Sequence, residues 1–250
     1  MARVDYEQIA PMYDAGRDHR PEHRAQWRVA LEPFIDSSRP LLDAGAGTGQ
    51  WSLLLADWFS VEVEAVEPSA GMWTQAVERA RPRVNVREGS AQQIPLPDNS
   101  VGTAWMSAVW HHIPEPSLAA AELHRVLVSG ASLCIRGAFP DARPDQDITV
   151  LRAFPEAHAV LATFPTISQV NDTLTSAGLT HQMTRTVAET GSDSARDAHR
   201  RAAQRADTLL RLLPDDIYRR RLATLAAEAE REPLGRPRIA RLTMLAFTNA

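Results

Sequence analysis

The stretch Asp43-Ala44-Gly45-Ala46-Gly47-Thr48-Gly49-Gln50 sets three glycines at alternate positions behind an aspartate. Without a Cβ, glycine turns the chain tightly and lets a ligand lie directly against the main chain. Where a strand passes into a helix, that chemistry is the cradling of a nucleotide-like ligand. Glu67 follows at the end of the next apolar run, where a carboxylate can accept both hydroxyl hydrogens of a ribose. His111 and His112 are adjacent imidazoles, able to take a proton or to orient an acceptor. With no carboxylate pattern beside them they make a poor metal site, and no metal is expected. The lone cysteine, Cys134, excludes a disulfide framework and a cysteine-based zinc cluster.

These groups sit on a regular alternation of elements. Leu41 and Leu42 lead into Asp43 as a buried strand. Trp51, Leu54, Leu55, Trp58 and Phe59 then fall on one face of a helix. Residues 61–66 alternate as a strand, and residues 72–80 form a second helix with Ser69 as N-cap. Further strands are expected at 84–86, 101–108 and 131–137, with a helix over 117–128 ended by Gly130. Such alternation implies βαβ units and a parallel sheet covered on both faces. Beyond it, 141–165 reads as an insertion, 168–177 as a helix, 179–187 as a strand, 193–232 as Arg-rich helix and 239–248 as a strand. Gly45–Gly49, Glu67, Ser90, Met106–His112 and Gly137–Pro140 all follow the carboxyl ends of expected strands, the rim where open α/β sheets bind ligands.

The 250 residues are 44% hydrophobic and 23% charged, ordinary for a folded α/β chain and not for a collagen-like or disordered one. All 27 basic residues are arginine, and the net charge is −4. Residues 192–241 hold 12 arginines against 8 acidic residues, so the remaining chain is strongly acidic. That balance argues against a nucleic-acid partner, which calls for a basic face with stacking aromatics. No apolar stretch is long enough to span a bilayer and the first residues carry no signal-peptide core, so a soluble, cytoplasmic protein without a membrane partner is expected.

Hydrophobic-hydrophobic-Asp-x-Gly-x-Gly-x-Gly resembles the first motif of the class I S-adenosylmethionine methyltransferases. Gly89-Ser90-Ala91, Ile94 to Ser100, Ala108-Val-Trp-His-His-Ile-Pro114 and Glu122 to Gly130 are similar to that family's later motifs in order and spacing. The resemblance runs from about Pro40 to Gly137 and is closest to the small-molecule branch that includes the ubiquinone and menaquinone methyltransferases. A dinucleotide site, the rival reading of the loop, wants a small residue where this chain has Gln50.

The resemblance implies an α/β fold of Rossmann-like class I methyltransferase type: a mostly parallel seven-stranded sheet, helices on both faces and a helical cap. It implies S-adenosylmethionine as cofactor. Gly45, Gly47 and Gly49 would line its methionine half, with Asp43 near the amino end and Glu67 on the ribose. Met72, Ser90, Ala91 and Met106 would complete the cofactor site, Ser90 standing where the family usually has aspartate. Tyr13 and Arg17 lie in a Tyr-Asp-x-x-Arg segment resembling one that folds over the cofactor. There Tyr13 would cover the sulfonium and Arg17 would meet a carboxylate of the substrate. His111 and His112 would stand beside the methyl group, as base or as orienting groups.

Trp110, Phe139, Phe154 and Phe164 are expected to line an apolar substrate pocket, while Trp51, Trp58 and Trp73 ride on helical faces as core. His19 and His23 are expected at the surface, Arg219–Arg221 on a solvated helix face, and Cys134 as a buried thiol. The chain reads as one methyltransferase domain over 1–250. Its parts are cap helices at 1–36, a cofactor-binding core at 40–140, lid insertions at 141–166 and 191–236, and closing helix and strands at 167–190 and 237–250. The activity implied is methyl transfer to O, N or C of a small molecule, such as a secondary metabolite. The alternatives are a cyclase or regulator on the same fold, an RNA methyltransferase and a nicotinamide oxidoreductase.

Overall fold

A computed structural model describes residues 6–17, 20–142, 146–232 and 235–250. His19 and parts of the two expected lid segments lie outside the described residues. The strands are β1 (Leu41–Ala44), β2 (Val63–Glu67), β3 (Val84–Glu88), β4 (Val101–Ser107), β5 (Leu127–Gly137), β6 (Leu179–Ser192) and β7 (Arg238–Asn249). They form one seven-stranded sheet in the order β3-β2-β1-β4-β5-β7-β6. Every neighbouring pair is parallel except the two that β7 makes with β5 and β6.

Alternating side chains along the strands divide the core between two faces. Leu42, Val66, Met106, Leu133, Ile135 and Leu245 point to one face. It is covered by α5 (Pro116–Val126) and α8 (Ile167–Ser176) through Leu123, Val126, Val170 and Leu174. Leu41, Ala65, Trp105, Cys134 and Met244 point to the other, covered by α2 (Ala25–Leu31) and α3 (Gln50–Phe59) through Trp27, Leu31 and Leu55. Burial in that second face pushes the Cys134 thiol up to about 12, the inert state expected of it.

The remaining helices build over the carboxyl rim and the sheet edge. The two sheet-flanking elements α1 (Tyr6–Tyr13) and α4 (Ala70–Arg79) pack together, and Ser69 caps α4 through the Met72 amide at 3.4 Å. The helices α6 (Thr149–Ala153), α7 (Ala157–Leu161), α9 (Ala195–Ala203), α10 (Thr208–Arg211) and α11 (Asp215–Arg231) share a separate apolar core. Leu151, Phe154, Leu161, Phe164, Leu209 and Leu225 fill it, and Tyr218 donates its hydroxyl to the Ala202 carbonyl at 2.9 Å.

Three boundaries differ from the sequence reading. β5 begins at Leu127, because Gly130 takes φ +79° and lets the strand run through the expected break. β6 continues past Val187 to Ser192, where pairing with β7 carries a polar stretch that hydrophobic periodicity cannot reveal. The Arg-rich helical region is three helices, broken at Arg205 with φ +49°. His23 is half-buried against Asp193 at 3.2 Å, a contact that the surface expectation lacked. Arg219 and Arg220 are exposed as expected, while Arg221 is tied to Glu156 at 2.8 Å.

Candidate functional site

β1 delivers Asp43 to its end, and the chain then turns through Gly45, Gly47 and Gly49 at φ +77°, +58° and +78°. Only glycine holds such angles without strain. A Cβ on Gly45 would lie 2.6 Å from the Val109 side chain, so the loop packs tightly there. A Cβ on Gly47 would meet nothing within 4 Å, which leaves that main chain open to a cavity. The Gly47 amide donates to one oxygen of Glu67 at 2.8 Å, and the Ser69 amide donates to the other at 2.9 Å. Burial raises the Glu67 carboxyl above its ordinary range, opposed by those two donors. Burial likewise pushes Asp43 up to about 7, although Ser52 donates to it at 2.6 Å.

The N-terminal segment is pinned onto this loop. Asp14 accepts from Thr48 at 2.7 Å, from Gln50 at 3.3 Å and from Arg79 at 2.6 Å. α1 thereby covers the side of the site where Glu67 and Met72 sit, with Met72 buried against Ala10, Tyr6 and Tyr13. The Arg17 guanidinium lies 5.2 Å from the centre of the Tyr13 ring and pairs with Asp207 at 3.0 Å, joining this segment to the cap.

His111 and His112 form one turn after β4 with their rings 3.9 Å apart. His111 stacks on Phe164 at 4.1 Å and 13°, and its Nε2 is buried with no hydrogen-bond partner among the described residues. Burial, then the neighbouring His112 and Arg17, hold its pKa well below the ordinary value, so the ring is neutral. His112 instead meets Tyr6 Oη at 2.6 Å and Thr208 Oγ1 at 3.2 Å, tying the β4 turn to α1 and α10. Burial and then Arg17 lower its pKa to about 4, against the opposing pull of Asp207.

A cavity of about 240 Å³ opens along the carboxyl rim from the glycine loop to the end of β6. Of the predicted residues it is lined by Tyr13, Arg17, Asp43, Gly45, Gly47, His111, Phe154 and Phe164. Trp110 and Phe139 are not on its wall: both are buried in the core beside α5, because the turn after β4 and the end of β5 point them inward. Ala91 and Met106 are buried in that same core, and Gly49 packs on Ala76 as the residue before α3. Ser90 is half-buried in a tight bridge with Gln93 beyond β3. Trp51 is both core and cavity wall, while Trp58 and Trp73 are half-buried. Among the described residues no cluster of histidine, cysteine or carboxylate side chains is arranged to hold a metal, and no helix is long and apolar enough to cross a membrane.

The cavity also has residues that sequence reasoning missed. Arg136 pairs with Glu189 at 2.5 Å and donates to Ser107 at 3.2 Å, while Trp27 donates to Glu189 at 2.8 Å. A lone arginine within the apolar run Ala131–Gly137 was the available signal, since a buried charge demands a partner. Arg24, lying 4.4 Å over the Trp51 ring, gave no such signal, nor did Arg201 or Ser192.

Residues 42–135 match the family model described as a methyltransferase domain. Among curated proteins the chain is similar to an uncharacterized methyltransferase of Mycobacterium tuberculosis, 33% identical over 48% of this chain and 46% of that one. It is also similar to the ubiquinone/menaquinone biosynthesis C-methyltransferase UbiE of Rubrivivax gelatinosus, 30% identical over 63% of this chain and 64% of that one. The chain thus spans about half to two-thirds of the relatives it matches. Among solved structures, the [4+2]-cyclase SpnF superposes with a TM-score of 0.60 at 20% identity, covering 100% of this chain and 98% of that one. At that identity the likeness is one of fold.

Proposed function

We propose that this chain, which belongs to the class I S-adenosylmethionine-dependent methyltransferases through residues 42–135, transfers a methyl group to O, N or C of a small-molecule acceptor, such as a secondary metabolite. The carrying observation is the Gly47–Glu67 junction: the carboxylate holds the loop while the glycine main chain faces open cavity. Bound there, S-adenosylmethionine supplies an electrophilic methyl on a sulfonium. Gly45 and Gly47 would give it close main-chain approach, with Gly49 shaping the loop from behind; Asp43 would face its amino end and Glu67 would take the ribose hydroxyls. Met72, Ser90, Ala91 and Met106 do not line the cavity, so in this reading they would support the adenine side only from behind. Tyr13, locked by the Asp14 contacts, covers the loop with an aromatic face that favours a cation.

Methyl transfer from a sulfonium removes a positive charge, so alignment and exclusion of water matter most. The cap and α1 exclude water. His111, neutral and stacked on Phe164, offers Nε2 to the acceptor from the cavity wall and orients it. An imidazole held well below its ordinary pKa is a weak base, so in this reading it positions the acceptor and does not remove a proton. His112, occupied by Tyr6 and Thr208, closes the lid.

The full-length likeness to the [4+2]-cyclase favours a second reading, in which the same cavity folds a polyene for ring closure without methyl transfer. Calorimetric titration with S-adenosylhomocysteine, with NAD in parallel, tests the site: binding of the former alone is expected, and binding of neither overturns it. Product masses then separate the readings, a gain of one methylene unit marking transfer and no gain marking cyclisation.

A further inference from the structure

The far end of the cavity, at the end of β6, holds polar groups that the glycine loop and His111 do not use. β6 runs parallel to β5, since both are antiparallel to β7, and it continues past the carboxyl rim: Gly137 at the end of β5 is level with Thr186, six residues before Ser192. The start of β7 returns Arg238 directly opposite Ser192. Ser192 is 2% exposed, lines the cavity, and its hydroxyl has no hydrogen-bond partner among the described residues. Arg238 lines it too: one end of its guanidinium is held by Glu228, and its Nε is buried with no hydrogen-bond partner among the described residues.

Two further arginines, Arg24 and Arg201, are 7% and 8% exposed on the cavity wall; Arg201 is anchored by Asp197 at 2.8 Å. Glu189 is matched by Arg136, Asp207 by Arg17, Asp197 by Arg201 and Glu228 by one end of Arg238, which leaves the Ser192 hydroxyl and the Arg238 Nε as the unmatched pair among the described residues at this end of the cavity. A buried hydroxyl left unmatched beside buried guanidinium groups is costly unless a ligand oxygen completes the set.

We propose that Ser192 and Arg238 seat an anionic oxygen group of the carboxylate class on the methyl acceptor. The inference rests on the methyltransferase reading and adds the substrate's chemistry to it. His111 follows β4, and the sheet order puts β5 and β7 between β4 and β6. Three strand spacings of about 4.8 Å give a lateral separation of roughly 14 Å, to which the overhang of β6 past β5 adds. That separation keeps the seat clear of the cofactor's own carboxylate, which belongs at the glycine loop. Between the ends the cap side of the wall is apolar, with Phe154, Phe164, Leu209 and Leu210, while the sheet side carries the already matched Arg136–Glu189 pair. The acceptor is therefore an amphipathic acid: an apolar body with the reacting atom at one end and the anion at the other.

Benzoate, 4-phenylbutyrate and decanoate, each against its primary amide, are titrated calorimetrically into the full chain, with and without S-adenosylhomocysteine. At least one acid is expected to bind about tenfold or more tighter than its amide, the ratio one charge-assisted hydrogen bond supplies. Ser192→Ala and Arg238→Gln are each expected to erase most of that preference while S-adenosylhomocysteine binds as in the parent. No preference for any acid, or a preference untouched by both substitutions, overturns the seat. If the acids bind selectively but S-adenosylhomocysteine does not bind, the seat stands and the methyltransferase reading fails. If S-adenosylhomocysteine binds normally and no acid is preferred, the seat fails and the methyltransferase reading stands.

Discussion

At the glycine loop the cavity is walled by main chain: two positive-φ glycines, Gly45 and Gly47, on a loop fixed by the Gly47 amide donating to Glu67 and by strand ends whose positions the parallel sheet dictates. At the cap the wall is made of side chains from α6, α9, α10 and α11 around Phe154 and Phe164, held by an apolar core of their own. The first construction tolerates few sequences and little movement. The second depends on apolar volume, so many sequences satisfy it. On the function proposed above, a protein built this way would keep its cofactor chemistry while its acceptor chamber is free to change.

Substitutions in the two walls should accordingly fail differently. Gly45→Val places a branched side chain at φ +77° and within 2.6 Å of Val109, and S-adenosylhomocysteine binding is expected to fall below calorimetric detection. Binding at the parent affinity would mean that the loop is not the cofactor wall. In the cap, Phe154→Ala empties a fully buried site and is expected to cost about 3–5 kcal/mol in urea unfolding. Its S-adenosylhomocysteine affinity should stay within about threefold, under ~1 kcal/mol. A parallel collapse of binding would show the two walls to be one cooperative unit. A subtler probe is Glu67→Ala, which removes the acceptor for two loop amides and the proposed ribose hydroxyls. A weakening of about tenfold to a hundredfold is expected, as for charge-assisted hydrogen bonds of ~1.5–3 kcal/mol.

The same contrast explains what could be read from the chain. Gly45, Gly47, Gly49 and Glu67 lie within 23 consecutive residues, and each answers a local backbone or strand-end requirement, so spacing alone exposes them. Arg24, Arg136, Ser192 and Arg201 come together only because β6 and β7 close the sheet antiparallel and α9 folds back over its rim. No periodicity links positions so far apart. Trp110 and Phe139 illustrate the converse: aromatic type suggested a substrate wall, but the inward turn after β4 and the Gly137–Phe139 bend put both rings in the core. The polar end of β6 was illegible for a related reason, its ladder being set by β7 and not by its own side chains.

Protonation offers the smallest and most discriminating test, because two buried groups, one at the glycine loop and one joining α1 to the cap, are shifted in opposite senses. His112, which ties α1 to α10, titrates at about 4 in the fold against an ordinary 6.5, chiefly through burial and then Arg17. Its contribution to stability is complete above the ordinary value and is lost as pH falls from 6.5 through about 4, since the unfolded chain binds the proton first. Asp43, in the wall at the glycine loop, is pushed up by burial to about 7 from 3.8. Its contribution is complete below 3.8 and is lost as pH rises through about 7. Melting temperatures of His112→Asn and Asp43→Asn are measured against the parent from about pH 7 down to about 4.5, the window between the shifted and ordinary values. The His112→Asn curve should gain on the parent as pH falls, while the Asp43→Asn curve should lose ground. Two curves that track the parent would show both groups to be solvated, and the closed lid and the dry cofactor wall would fall with them.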